Sequence, residues 1–153
     1  MSKVAVVYWS GTGNTAAMAA ILGKGIQDGG ATAKVVSVED IKADDLKDYP
    51  VFALGCPSMG NETLEETYME DFVTEVESFA SGKKIGLFGS YGWGDGQWMS
   101  DWVERMKNAG ATVVGDAGVI CQDTPDDNAL SECEELGKKL VYCITDFQLN
   151  NAG

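Results

Sequence analysis

The sequence predicts an α/β protein: a single domain built on a doubly wound, five-stranded parallel sheet with helices on both faces. Three observations carry that prediction. Short apolar runs alternate with helix-period segments along nearly the whole chain. The runs are close to continuous in apolar character, as in strands buried on both faces of a sheet. The 153 residues suffice for one sizeable core, and no linker, repeat or shift in composition divides them.

The elements follow in order. Val4–Trp9 reads as the first strand. Asn14 to about Asp28 reads as a helix, with Met18, Ile21, Leu22 and Gly25 on one face and Gly29-Gly30 as its stop. Ala33–Val38 and the apolar Val51–Gly55 are the next strands. A helix is expected from roughly Leu64 to Phe79, then a strand over Lys84–Gly89. Trp98, Trp102, Val103 and Met106 mark a helix that ends at Asn108-Ala109-Gly110, and their spacing assigns both tryptophans to the core. Thr112–Cys121 reads as the last strand, interrupted near Gly115-Asp116. Leu130, Cys133, Gly137, Leu140, Val141 and Ile144 define a closing helix. The domain is expected to occupy residues 1–147, with a polar tail at 148–153 that frays.

Composition excludes several kinds of chemistry. Eleven Lys+Arg against 24 Asp+Glu give a net charge of −13, which disfavours nucleic acid and anionic membranes and favours basic protein partners. The chain has no histidine, so His-based acid–base catalysis, triads and metal sites are absent; no catalytic or metal residues are expected. Cys56, Cys121, Cys133 and Cys143 are widely spaced in apolar patterns and read as buried, reduced thiols. Together with the lack of a signal peptide or a bilayer-spanning run, they predict a cytoplasmic protein.

In a doubly wound sheet, ligands bind beyond the carboxyl ends of the strands. The loop after the first strand holds Ser10, Gly11, Thr12, Gly13, Asn14 and Thr15 at the start of a helix. Free N–H groups and the helix dipole favour an anion there. There is no lysine or arginine, so a phosphate would be held by neutral donors. Gly11-x-Gly13-x-x-Ala16 also fits a dinucleotide fingerprint, with Glu39 placed 26 residues past Gly13 as a ribose-binding carboxylate. The chain is short for a second nucleotide-binding half, and its clustered hydroxyls suit a terminal phosphate better than a bridging pyrophosphate. A P-loop would need a lysine after the glycines, and a phospho-accepting receiver would need carboxylates at the first and third strand ends. Neither is present.

Two more loops are glycine-rich: Gly55-Cys-Pro-Ser-Met-Gly-Asn-Glu62 and Gly89-Ser-Tyr-Gly-Trp-Gly-Asp-Gly96. Met59 in one, and Trp93 with Tyr91 in the other, offer large side chains in surface loops, which reads as a two-sided slot for a flat ring. A phosphate loop plus such a slot suggests flavin mononucleotide (FMN).

These three motifs resemble those of the flavodoxins, and of their short-chain clostridial-type subgroup in particular. The resemblance covers almost the whole chain, to about Phe147, and implies the strand order 2-1-3-4-5. It implies that Ser10, Gly11, Thr12, Gly13, Asn14 and Thr15 bind the FMN phosphate. Met59 and Trp93 would sandwich the isoalloxazine, with Ser58, Gly60, Asn61, Ser90 and Tyr91 beside them. Glu62 would accept from the ring N3–H, and N–H groups around Gly92 and Gly94 would meet the pyrimidine carbonyls. Gln122, with Asp123, would close the site. Asn61 stands where relatives often carry Asp, and Pro57 where they carry a small or hydroxyl residue.

The implied function is that of a low-potential one-electron carrier, shuttling between flavin semiquinone and hydroquinone, with no substrate of its own. Its partners would be basic redox proteins, and it would act as a monomer. Seven carboxylates and no base between Glu62 and Glu77 would form an acidic collar for those partners. The alternative is an FMN-dependent NAD(P)H quinone or nitro reductase on the same fold.

Overall fold

A computed structural model describes residues 2–152, with side chains to residue 144. The elements are β1 (Lys3–Tyr8), α1 (Asn14–Asp28), β2 (Thr32–Ser37), β3 (Val51–Gly55), α2 (Met69–Glu77), β4 (Lys84–Tyr91), α3 (Gln97–Asn108), β5 (Thr112–Val113), β6 (Val119–Gln122) and α4 (Asp127–Ala152). Two short 3-10 turns, Val38–Asp40 and Ala43–Leu46, bridge β2 to β3. The strands are parallel in the order β2-β1-β3-β4-β5, and β6 also pairs with β4. No helix among the described residues is long and apolar enough to cross a membrane.

Side-chain alternation along the strands divides one sheet between two cores. Ala5, Val7, Phe52 and Leu54 pack with Phe72, Val73, Trp98 and Trp102 from α2 and α3. Val4, Val6, Val51 and Ala53 pack with Met18, Leu22, Leu136 and Leu140 from α1 and α4. Helices α1 and α4 are pressed together backbone to backbone. A Cβ at Gly25 would overlap the Glu134 carbonyl, and one at Gly137 would overlap the Leu22 carbonyl.

Two boundaries differ from the sequence reading. The helix expected from Leu64 begins only at Met69, because the chain first runs through two turns, at 60–62 and 66–68, on either side of the Thr63 bridge. There the Glu65 carboxylate takes the N–H groups of Thr67, Tyr68 and Met69, which offers the backbone an alternative to helix. The last strand is two pieces, both on β4: Lys84 and Ile85 pair with Thr112 and Val113, and Phe88 to Tyr91 with Val119 to Gln122. Residues 115–118 step out between them, at the glycine-rich point where an interruption was expected. Trp98 and Trp102 are buried, as their helical spacing required. Cys56, Cys121 and Cys133 are buried and Cys143 is half-buried, and none of the four is in a disulfide. The α4 helix continues to Ala152, past the expected end of the domain; the side chains of the tail expected to fray lie outside the described residues.

Candidate functional site

The carboxyl ends of β1, β3 and β4 bring three loops around one cavity of about 240 Å³. Trp9, Gly11, Thr12 and Asn14 come from the first loop, and Pro57, Ser58 and Met59 from the second. Ser90, Tyr91 and Gly92 come from the third, and Asp123 closes the rim. No lysine or arginine lines it.

The first loop is organised by its own hydroxyls. Gly13, in a left-handed conformation (φ 97°), opens α1. Ser10 Oγ accepts from the N–H groups of Gly13 and Ala16, both at 3.2 Å, and so caps the helix from inside the loop. Thr15 is buried, and its hydroxyl is 3.0 Å from that of Ser90, which ties this loop to the end of β4. Among the described residues, the N–H groups of Gly11, Thr12 and Asn14 have no protein acceptor. They are spare donors at a helix N-terminus, the chemistry an anion requires.

The second loop is a hairpin. Met59 and Thr63 exchange backbone hydrogen bonds of 2.9 and 3.0 Å, enclosing Gly60, Asn61 and Glu62. Gly60 takes a positive φ (42°) and Asn61 does not, the sign pattern of a type II′ turn. Glu62 follows at φ 56°, a left-handed conformation costly for a non-glycine residue. Its Oε1 is buried with no hydrogen-bond partner. That oxygen lies against Gly94, where a Cβ would overlap it. A buried carboxylate oxygen without a donor is expensive unless a ligand supplies one. Glu62 and Gly94 lie beside the cavity rather than in its lining; a flavin ring N–H is the kind of donor this oxygen lacks, so the residues present fit a flavin.

The third loop rests on Gln122, whose Nε2 donates to the Gly92 carbonyl at 3.3 Å. Ser58 N–H donates to the Ser90 carbonyl (2.9 Å) and Asp123 N–H to the Tyr91 carbonyl (2.8 Å), joining the loops edge to edge. Trp93 is exposed (62%) and stands outside the cavity lining. Tyr91 differs from expectation: it ends β4, and its ring packs on Trp98 at 5.6 Å between centroids, so it belongs partly to the core. Glu65 also differs: counted into the acidic collar for partners, it is buried.

The sequence reading missed Trp9 as a wall of the cavity. Its apolar pattern continues the strand, and its place directly before the first loop, at a strand's carboxyl end, is the signal that marks it. It also missed the support behind the second loop. Trp98 Nε1 donates to the Cys56 carbonyl at 3.2 Å. Burial pushes the Cys56 thiol up to about 12, which leaves it a neutral packing group.

The chain matches the Flavodoxin family model over residues 6–136. It is 47% identical over 136 residues to a flavodoxin of Clostridium beijerinckii, covering 89% of this chain and 97% of that one. It is also 47% identical over 135 residues to a flavodoxin of Megasphaera elsdenii, covering 88% and 96%. The solution structure of two-electron reduced Megasphaera elsdenii flavodoxin superposes with a TM-score of 0.83 at 45% identity, covering 91% of this chain and 98% of that one. These relatives are electron-transfer proteins rather than enzymes, so the reductase alternative is not favoured. Neutral anion donors and an unpartnered carboxylate oxygen thus sit on a chain that belongs to the flavodoxin family, the FMN-binding electron carriers.

Proposed function

We propose that residues 1–147 form one FMN domain acting as a low-potential, one-electron carrier, and that the three loops divide the cofactor between them. Bound FMN supplies the one-electron exchange. The Ser10–Thr15 loop would hold the phosphate through its spare N–H groups and hydroxyls. Met59 and Trp93 would cover the two ring faces, Trp93 swinging in from its exposed position. Glu62 would accept the ring N3–H, and N–H groups of the 92–94 turn would face the ring carbonyls while Gln122 steadies that turn. Ser58, Ser90 and Tyr91 would pack the ring edge. Asn61 and Gly60 would present their shared peptide to the ring, Gly60 absorbing the change of φ that peptide reorientation demands.

The low potential follows from charge. Each carboxylate about 10 Å from a developing negative charge opposes it by roughly 0.4 kcal/mol in water, and more when partly buried. Glu62, as the acceptor of the ring N3–H, would be nearer, and no lysine or arginine lines the cavity to offset it. The acidic surface suits basic redox proteins, which the carrier would meet as a monomer in the cytoplasm.

The observation that carries this reading is the buried, unpartnered Glu62 Oε1 beside Gly94. Titrating apoprotein with FMN tests it. Glu62→Gln is expected to weaken binding about tenfold, the worth of a charge-assisted hydrogen bond over a neutral one, and to make the lower one-electron potential less negative. Unchanged affinity and potential would assign the ring N–H to another acceptor.

A further inference from the structure

We propose that Glu65, which does not line the cavity, is a positioning residue for the flavin ring: its buried carboxylate locks the base of the 57–64 loop, so that Glu62 is already placed when the cofactor arrives. The inference rests on the reading that this loop faces the ring.

Two nested rings of hydrogen bonds define the loop. The inner ring is the Met59–Thr63 pair, which encloses the left-handed Glu62. The outer ring joins residues 56 and 65, where Glu65 N–H donates to Cys56 Sγ at 3.3 Å. Cys56 is itself fixed: its N–H donates to the Phe88 carbonyl (3.1 Å), and its carbonyl accepts from Trp98 Nε1 (3.2 Å). One root of the loop is therefore bolted to β4 and α3.

Glu65 bolts the other root to α2. Its Oε1 accepts from Thr67 N–H (2.7 Å), and its Oε2 from Tyr68 (2.8 Å) and Met69 (2.9 Å). Its carbonyl accepts from Glu70 N–H at 2.9 Å. It is 5% exposed and pairs with no lysine or arginine among the described residues. Its charge is carried by three N–H groups at the start of α2.

A shorter capping residue would satisfy the helix alone. Only a side chain of this length, four residues before Met69, can gather three N–H groups while its own N–H reaches back to the thiol. The strain at Glu62 requires surroundings that over-determine it, and the outer ring provides them. Glu65 acts through Glu62 and touches no ligand itself.

The test is Glu65→Gln, which keeps the size and one acceptor oxygen but turns an NH2 toward an N–H donor and removes the charge. Apoprotein is titrated with riboflavin and with FMN. Both affinities are expected to fall by the same factor, about tenfold, leaving their ratio unchanged because the Ser10–Thr15 loop reads the phosphate independently. A variant with a lower urea midpoint but unchanged affinities makes Glu65 a plain helix cap and overturns the proposal. If wild-type apoprotein binds neither flavin, the reading of the site fails first and the positioning role falls with it. Should the variant not fold, amide exchange on wild-type apoprotein decides. Slow exchange at Thr67, Tyr68 and Met69 without cofactor is expected; exchange at the rate of an unstructured peptide overturns the pre-formed loop.

Discussion

At the scale of single residues, Gly94 shows how tightly the site is specified. Its positive φ (88°) and its contact with Glu62 Oε1 both exclude a side chain. Gly94→Ala is expected to destabilise the apoprotein by about 1–2 kcal/mol, the cost of a left-handed non-glycine residue, and to displace Glu62. FMN affinity measured by flavin fluorescence quenching should therefore fall further than stability alone accounts for. Glu62 was legible in the sequence only through family resemblance, since nothing in its local pattern distinguishes it from Glu65 or Glu66. The contrast between them is three-dimensional: Glu62 is half-buried with one oxygen, Oε1, shut away without a donor, whereas Glu65 is buried with three. Trp9 was hidden for a related reason, because an aromatic at the end of an apolar run extends the strand pattern whichever way its ring turns.

At the scale of elements, α2 is held from two sides. Glu65 caps its start, and Arg105 of α3, the chain's one arginine, reaches across to it. Arg105 Nε donates to Glu77 (2.7 Å), Nη1 to Glu70 (2.6 Å) and Nη2 to Thr74 (3.0 Å). Arg105→Ala leaves two carboxylates facing each other and is expected to cost about 1 kcal/mol, read from urea unfolding; much of the pair remains open to solvent, which limits the effect. The Glu65 contacts add a pH dependence. Burial works to raise its pKa, but the N–H groups of Met69, Tyr68 and Thr67 prevail and hold the carboxyl below its usual 4.5. A carboxyl depressed on folding stabilises the protein above its unfolded value, and that contribution is lost as pH falls through the folded one. Wild-type protein should thus lose more stability below pH 4.5 than Glu65→Gln does, measured by urea midpoints across that range. The late start of α2 was not legible in the sequence, because the apolar spacing of Leu64, Met69, Phe72, Val73 and Val76 is helical throughout, and a glutamate that takes the N–H groups two to four residues ahead leaves no mark on that spacing. The strands of β1 and β3 were legible, because burial on both faces leaves no freedom in their apolar character.

At the scale of the whole molecule, the alternation of strands and helices is written in the sequence, whereas the strand order rests on the family resemblance, since periodicity carries no information about which strands are neighbours. Net charge acts at this scale too. With −13 on 153 residues, self-repulsion and partner steering are both long-range. Electron transfer to a basic partner, followed by stopped flow, should slow as ionic strength rises, while the urea midpoint of the isolated protein should increase. A rate independent of salt would separate docking from the acidic surface. One feature of the sheet also bears on what can be built from this molecule. Between β5 and β6 the chain leaves β4 and returns, and Asp116 at the apex is 92% exposed in a left-handed turn. Pairing with β4 runs up to the Val114 N–H and resumes at Val119, so the length of residues 115–118 between them is open to change. A guest peptide or an electrode tether grafted at Asp116 would hang from the far edge strand, leaving the three cofactor loops and their spacing untouched.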